Sequence, residues 1–300
     1  MKVAYSDIYK YELPDGHRFP MEKYPLIREQ LIYEGTLEAS DFYTPTPLTW
    51  SQVGTTHTSD YIEKLQTTNL STKEIRKIGF PLKQSLVDRG LFIAGGTYQN
   101  ALYAMTHHSV ALNIAGGTHH SFANHGEGFC IYNDFAIASN LLIQHHGISS
   151  ILIVDLDVHQ GNGTAHIFEK EDRVYTFSMH GARNYPTKKM VSDLDIGLTD
   201  GTEDAEFLAI LYDTLPRLIE ERQPEIIMYL AGVDVLTTDK LGRLSMTKYG
   251  AMQRDEFVLS QASKHNIPII VSLGGGYSHR LIDIVDAHAN TFRVAKDIYK

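Results

Sequence analysis

Five short, β-rich apolar runs recur along the chain, at 109–114, 151–155, 173–178, 225–230 and 268–273. Segments of helical periodicity alternate with them, at 92–105, 134–145, 203–220, 248–264 and 281–295. Strands apolar on both faces must be covered on both sides, and strands separated by helices pair in parallel. The pattern predicts an α/β architecture, a mostly parallel central sheet with helices on both faces. No repeat, low-complexity tract or flexible linker interrupts it, so one domain over 1–300 is expected.

The unusual residues cluster in a consistent place. The segments 115–120, 155–163, 178–185, 231–234 and 274–277 each begin where one apolar run ends. In open α/β sheets the carboxyl edge of the strands is where ligands bind, so these clusters are expected to converge.

The richest cluster reads Asp155-Leu-Asp157-Val-His159-Gln-Gly-Asn162-Gly. Residues two apart on an extended chain share a face, so Asp155, Asp157 and His159 can project together. Carboxylate and imidazole suit zinc, and a catalytic zinc site takes three protein ligands. One polar network capping the sheet would explain a single carboxylate, but two with a histidine explain themselves better as a metal site. Asp234, in Ala-Gly-Val-Asp234, follows another run at the same edge and is expected to complete an Asp157/His159/Asp234 set. Alone it would read as a helix cap.

Gly116-Gly-Thr-His119-His120 offers two imidazoles beside that centre for acid–base and electrostatic work. The other pairs, His107-His108 and His145-His146, fall near the ends of predicted helices, where His⁺ favours the helix dipole, and receive no chemistry. Gly274-Gly275-Gly276-Tyr277 gives close backbone approach to a substrate at Gly275 and a phenol at Tyr277 able to donate to a developing oxyanion. The run lacks the Walker lysine or the GxGxxG of a phosphate loop.

Charge and cysteine content narrow the class. The formal net charge is −9, which argues against direct nucleic-acid binding. Such a chain tolerates a cationic substrate. A single cysteine, Cys130, allows neither an internal disulfide nor a thiolate zinc site, and reads as a small buried hydrophobe. The opening MKVAYSDIYKYELPDG lacks the apolar core of a signal peptide, and the apolar runs are too short to span a bilayer. A cytoplasmic protein with no membrane association is expected.

GGTHHSFANHGEGFCIYND, VDLDVHQGNGT, AGVD and LGGGY, in this order, resemble the signature blocks of the histone deacetylase and acetylpolyamine amidohydrolase family. The likeness runs from LPDGHRFPMEKY to Tyr277. HQGNG, together with Asn184-Tyr-Pro after the Ser178-Met-His block, is most similar to class IV deacetylases and their bacterial relatives. The resemblance implies the arginase/deacetylase fold and one catalytic Zn²⁺ per chain on Asp157, His159 and Asp234. It implies Asp155 as the carboxylate partner of His119, and Asn162 as the partner of His120 where class I members carry Asp. Tyr277 would polarise the substrate carbonyl, Phe129 and Tyr185 would wall an acyl-lysine tunnel, and Gly128 would contact the substrate through its backbone. A structural K⁺ is implied at Asp155, Asp157, His159, Ser178 and Met179.

The expected activity is zinc-dependent hydrolysis of an N-acyl lysine or related acylated amine, with acetyl or longer acyl groups. The neighbouring alternatives are an acetylpolyamine deacetylase and a catalytically silent acyl-lysine-binding protein. A dinuclear manganese ureohydrolase is disfavoured, because Asn162 replaces a bridging Asp and AGVDVL lacks a second one. A serine hydrolase lacks its GxSxG elbow.

Overall fold

The computed structural model describes residues 1–299. Eight strands form one sheet: β1 (Lys2–Ala4), β2 (Phe42–Tyr43), β3 (Val110–Asn113), β4 (Ile151–Asp155), β5 (Val174–Gly181), β6 (Leu194–Leu198), β7 (Ile226–Leu230) and β8 (Ile269–Ser272). Their order is β2-β1-β3-β8-β7-β4-β5-β6, and every ladder is parallel. The expected α/β class holds, and parallel pairing extends across the whole sheet.

The helices are α1 (Lys23–Tyr33), α2 (Trp50–Val53), α3 (Ser59–Gln66), α4 (Thr72–Ile78), α5 (Gln84–His107), α6 (Asp134–His146), α7 (Asn162–Phe168), α8 (Asp204–Arg222), α9 (Lys248–Lys264) and α10 (Leu281–Ile298). Alternating residues of the central strands divide between two cores, as strand geometry requires. Leu152 and Val154 of β4 join the core made with Leu215 of α8, Val258 of α9 and Phe292 of α10. Ile151 and Ile153 join Ala101 of α5 with Phe135 and Leu142 of α6. Local chemistry sets the helix ends. Asn133 Oδ1 accepts from Ala136 N at 3.0 Å to start α6, and Gly147, at φ 69°, ends it. No described helix is long and apolar enough to cross a membrane.

The topology fixes where a site can form. Between β3 and β4 the chain crosses to the far side of two strands, β8 and β7, that are added later. The crevice at such a switch point opens over the carboxyl ends of these strands. Four adjacent strands, β3-β8-β7-β4, therefore deliver the loops carrying His119-His120, Gly274–Tyr277, Asp234 and Asp155–Asn162 to one edge.

Candidate metal centre and active site

Asp155 is the last residue of β4, and beyond it the chain curls so that side chains brace their own loop. Asp155 Oδ1 accepts from Asp157 N at 3.2 Å, and Asp157 Oδ1 accepts from His159 N at 3.0 Å. The loop after β7 closes against this turn, with Asp234 Oδ1 accepting from Val158 N at 3.0 Å. The β8 loop adds Gly275 N, which donates to Asp157 Oδ2 at 2.8 Å. Only glycine fits at 275, because a Cβ there would enter the Asp234 carboxylate and come within 2.8 Å of Asp157 Oδ2. The expected substrate contact at Gly275 thus has its N–H already committed to holding a neighbouring carboxylate.

Asp157, His159 and Asp234 present donor atoms that all lie within 4.8 Å of one another, and all three residues are buried. His159 Nδ1 sits 3.0 Å from Asp157 Oδ1 and 3.1 Å from Asp234 Oδ2. Burial and the Asp157 carboxylate push Asp234 up to about 7. Burial opposes charge on His159 too, but the two carboxylates overrule it and lift the imidazole to about 10. Two carboxylates out of water with one imidazole leave a deficit of positive charge. A divalent cation that accepts oxygen and nitrogen donors fits this set.

The histidine pair stands beside this cluster. Asp134, at the start of α6, holds their turn: Oδ2 accepts from Gly117 N at 3.1 Å, and Oδ1 from Thr118 N at 2.8 Å. His119 Nδ1 donates to Asp155 Oδ2 at 2.7 Å, and His120 Nδ1 to Asn162 Oδ1 at 2.7 Å. Those bonds leave His120 Nε2 to face the cavity, whereas His119 Nε2 lies 4.0 Å from Asp157 Oδ1. Burial works against the His119 cation, yet the Asp155 carboxylate holds its pKa above the ordinary value. Burial, with His119 and His159 nearby, drives His120 well below. The two adjacent imidazoles are thereby shifted in opposite directions, His119 upward and His120 downward.

Residues that sequence reasoning passed over complete the arrangement. Glu127 is 3% exposed, and its Oε1 accepts from Asn162 Nδ2 at 2.5 Å and from Tyr185 Oη at 2.8 Å. Its Oε2 pairs with Lys77, and His125 Nε2 lies 3.5 Å away. Burial alone would raise this carboxyl, but hydrogen bonds from His125, Lys77, Asn162 and Tyr185 hold it far below the usual range. Arg254 of α9 is fully buried, and its Nη1 donates to Leu156 O at 3.2 Å and Gly232 O at 2.7 Å. It thus clamps the two loops that carry Asp157 and Asp234. Lys23 of α1, also fully buried, donates to Gly274 O at 3.0 Å. Its only sequence signal was a charge beside apolar neighbours, which is common on surfaces.

Tyr277 is nearly buried, its backbone N–H fixed by Asp239 Oδ2 at 2.6 Å. Burial, then the Asp234 and Asp157 carboxylates, raise its phenol, so it stays protonated and can donate. A cavity of about 300 Å³ opens above the cluster, and Gly128, Phe129, Tyr185, His120, His159 and Tyr277 all reach it. At Gly128, φ is 56° and a Cβ would come within 2.5 Å of the His120 ring, so the backbone can pass here only as glycine. Cys130 is buried, with its thiol 3.3 Å from Gly128 O. Ser178 and Met179 lie in β5, where the register sets Ser178 beside Asp155, and Ser178 Oγ contacts His180 Nδ1 at 2.9 Å.

Comparison with known proteins follows the same outline. Residues 17–292 match the family model for the histone deacetylase domain. An uncharacterized protein of Picosynechococcus sp. is 40% identical over 297 residues, spanning 99% of both chains. Histone deacetylase 2 of Arabidopsis thaliana is 30% identical over 92% of this chain and 74% of its own length. Histone deacetylase 1 of Homo sapiens is 28% identical over 93% of this chain and 62% of its own. The crystal structure of the HDA15 HD domain shares the fold, with a TM-score of 0.84 over 99% of this chain and 88% of that one, at 22% identity. On its sequence, the chain belongs to the histone deacetylase family.

Proposed function

We propose that the chain is a zinc-dependent deacylase of N-acyl lysine or a related acylated amine. The observation that carries this reading is the convergence of Asp157, His159 and Asp234 donors within 4.8 Å, beneath a cavity that His120 and Tyr277 reach. Zinc on these side chains would supply Lewis acidity, polarising an amide carbonyl and making water more acidic.

The chain's own residues account for the proton transfers. His120 donates from Nδ1 to Asn162 Oδ1, so its lone pair is on Nε2, the atom that takes a proton from the attacking water. The depressed pKa keeps this base neutral. Tyr277 donates through its hydroxyl to the oxygen that gains charge, an effect of roughly 3 kcal/mol for one such donor. His120 Nε2 returns the proton to the leaving nitrogen. His119, its pKa raised by the Asp155 carboxylate 2.7 Å from Nδ1, stands with its ring 4.1 Å from that of His120 and supplies the electrostatic partner of the base. Phe129 and Tyr185 shield the acyl-lysine stem from water, with Gly128 passing beneath.

A structural K⁺ through Asp155, Asp157, His159, Ser178 and Met179 belongs to the same reading, supported by the Asp155–Ser178 register. The test is hydrolysis of a fluorogenic acetyl-lysine peptide by zinc-loaded protein, with and without a hydroxamate. Hydroxamate-sensitive turnover that Tyr277→Phe cuts by 10²–10³-fold is expected. Tight binding of the acylated peptide by zinc-loaded protein without any turnover would make the chain a silent acyl-lysine binder instead.

A further inference from the structure

The cavity mouth carries charge of the opposite sign to the chain as a whole. Arg18, Arg76, Lys77, Arg183 and Arg243 line it, and among the described residues no Asp or Glu does. All five are exposed. Lys77 is paired with Glu127, and Arg183 and Arg243 share Asp200 at 3.4 and 3.2 Å. Arg18 places its guanidinium 4.9 Å over the Phe129 ring, directly on a wall of the tunnel. Five cations against two carboxylates leave a surplus of three positive charges, on a protein whose net charge is −9.

We infer that the enzyme acts on acyl-lysines set in acidic stretches of polypeptide, and discriminates against basic tails and polyamines. This rests on the deacylase reading and narrows it. An acylated lysine side chain is neutral, so the tunnel itself is indifferent to flanking charge. Whatever stays outside, the neighbouring residues of a peptide or the remaining ammonium groups of a polyamine, meets the rim. Like charges there are repelled and opposite charges drawn in, an effect that governs encounter and register more than chemistry. Exposed charges act over about one Debye length, so the preference must weaken as salt is added.

The experiment uses three acetyl-lysine peptides of equal length with Asp, Ser or Arg at the flanking positions, together with acetylspermidine, at low and high ionic strength. At low salt the Asp-flanked peptide is expected to exceed the Arg-flanked one about tenfold or more in kcat/KM, with the difference in KM. High salt should compress that ratio. Arg18→Glu/Arg76→Glu is expected to reverse it, whereas Lys170→Glu, a charge change at the opposite end of the sheet, leaves it as it was. Equal or better turnover of the Arg-flanked peptide or acetylspermidine at low salt overturns the inference and leaves the deacylase reading intact. Binding to the Tyr277→Phe protein, read by fluorescence anisotropy, separates the two. If nothing is hydrolysed yet the acidic peptide binds more tightly, the hydrolase fails and the rim preference stands. Equal binding of acidic and basic peptides there removes the preference as well.

Discussion

Asn162 is held from both sides, accepting from His120 Nδ1 at 2.7 Å through Oδ1 and donating through Nδ2 to Glu127 Oε1 at 2.5 Å. An asparagine has no charge with which to stabilise a histidine cation, and its amide could in principle sit either way round. The Glu127 carboxylate, an acceptor only, settles the orientation and places a negative charge one residue behind the position where class I relatives carry Asp.

Glu127→Ala is therefore expected to lower kcat by roughly 10–100-fold, the range typical when an outer partner of a site residue is removed. Asn162 Nδ2 and the Tyr185 hydroxyl lose their acceptor together, and Lys77 is released toward the mouth. Glu127→Gln keeps an acceptor oxygen and should cost less. Steady-state kinetics checks both, and full activity in Glu127→Ala would show that Asn162 needs no such anchor.

The pH profile follows from His120. Its folded pKa is depressed, by burial first and then by His119 and His159, so the neutral base is present above that value and lost as pH falls through it. The acid limb of kcat/KM should lie below the ordinary histidine value of about 6.5. Asn162→Asp alone would set two carboxylates against each other at Glu127, whereas Asn162→Asp/Glu127→Gln moves the charge next to His120. That pair is expected to shift the acid limb upward by about 1 unit, and an unmoved limb would remove His120 as the base.

Metal content is a direct check on the donor set. Elemental analysis is expected to give one tightly held divalent ion per chain, lost in Asp234→Asn and on chelation. Because the ion binds the folded chain, its removal should lower the melting temperature as well as abolish turnover, and readdition of zinc should restore both. Two ions per chain would favour the dinuclear alternative.

How much of this was legible depended on what each residue faces. The interior strands β3, β4, β5, β7 and β8 read clearly because both faces are buried. The outer strands did not: β1 and β2 span three and two residues, and β6 alternates exposed and half-buried positions. Short or half-solvated outer strands carry no continuous apolar run. Asp155, Asp157 and His159 stood out because polar residues closing a buried strand need an explanation. Glu127, Lys23 and Arg254 look like ordinary surface charges in sequence. Their roles come from partners 35, 251 and 98 residues away, which periodicity does not register.

Arg254 gives the sharpest separation of scaffold from chemistry, since it lies behind the site rather than in it. Its guanidinium holds the carbonyls of Leu156 and Gly232, and its Nε pairs with Asp255 Oδ1 at 2.9 Å. Asp255 is in turn engaged by the Tyr229 hydroxyl at 2.5 Å and Thr291 Oγ1 at 2.6 Å. Arg254→Met would leave a buried carboxylate without its cation, a change that typically costs about 3–5 kcal/mol. Denaturant unfolding should show that loss. At temperatures where the variant remains folded, zinc should dissociate faster, because the loops bearing Asp157 and Asp234 are no longer tied to α9. The double variant Arg254→Met/Asp255→Leu removes both charges and is expected to be less damaged than the sum of its single changes, as coupled neighbours are. A stable Arg254→Met protein with native zinc retention would mean that the two loops hold their geometry without this clamp.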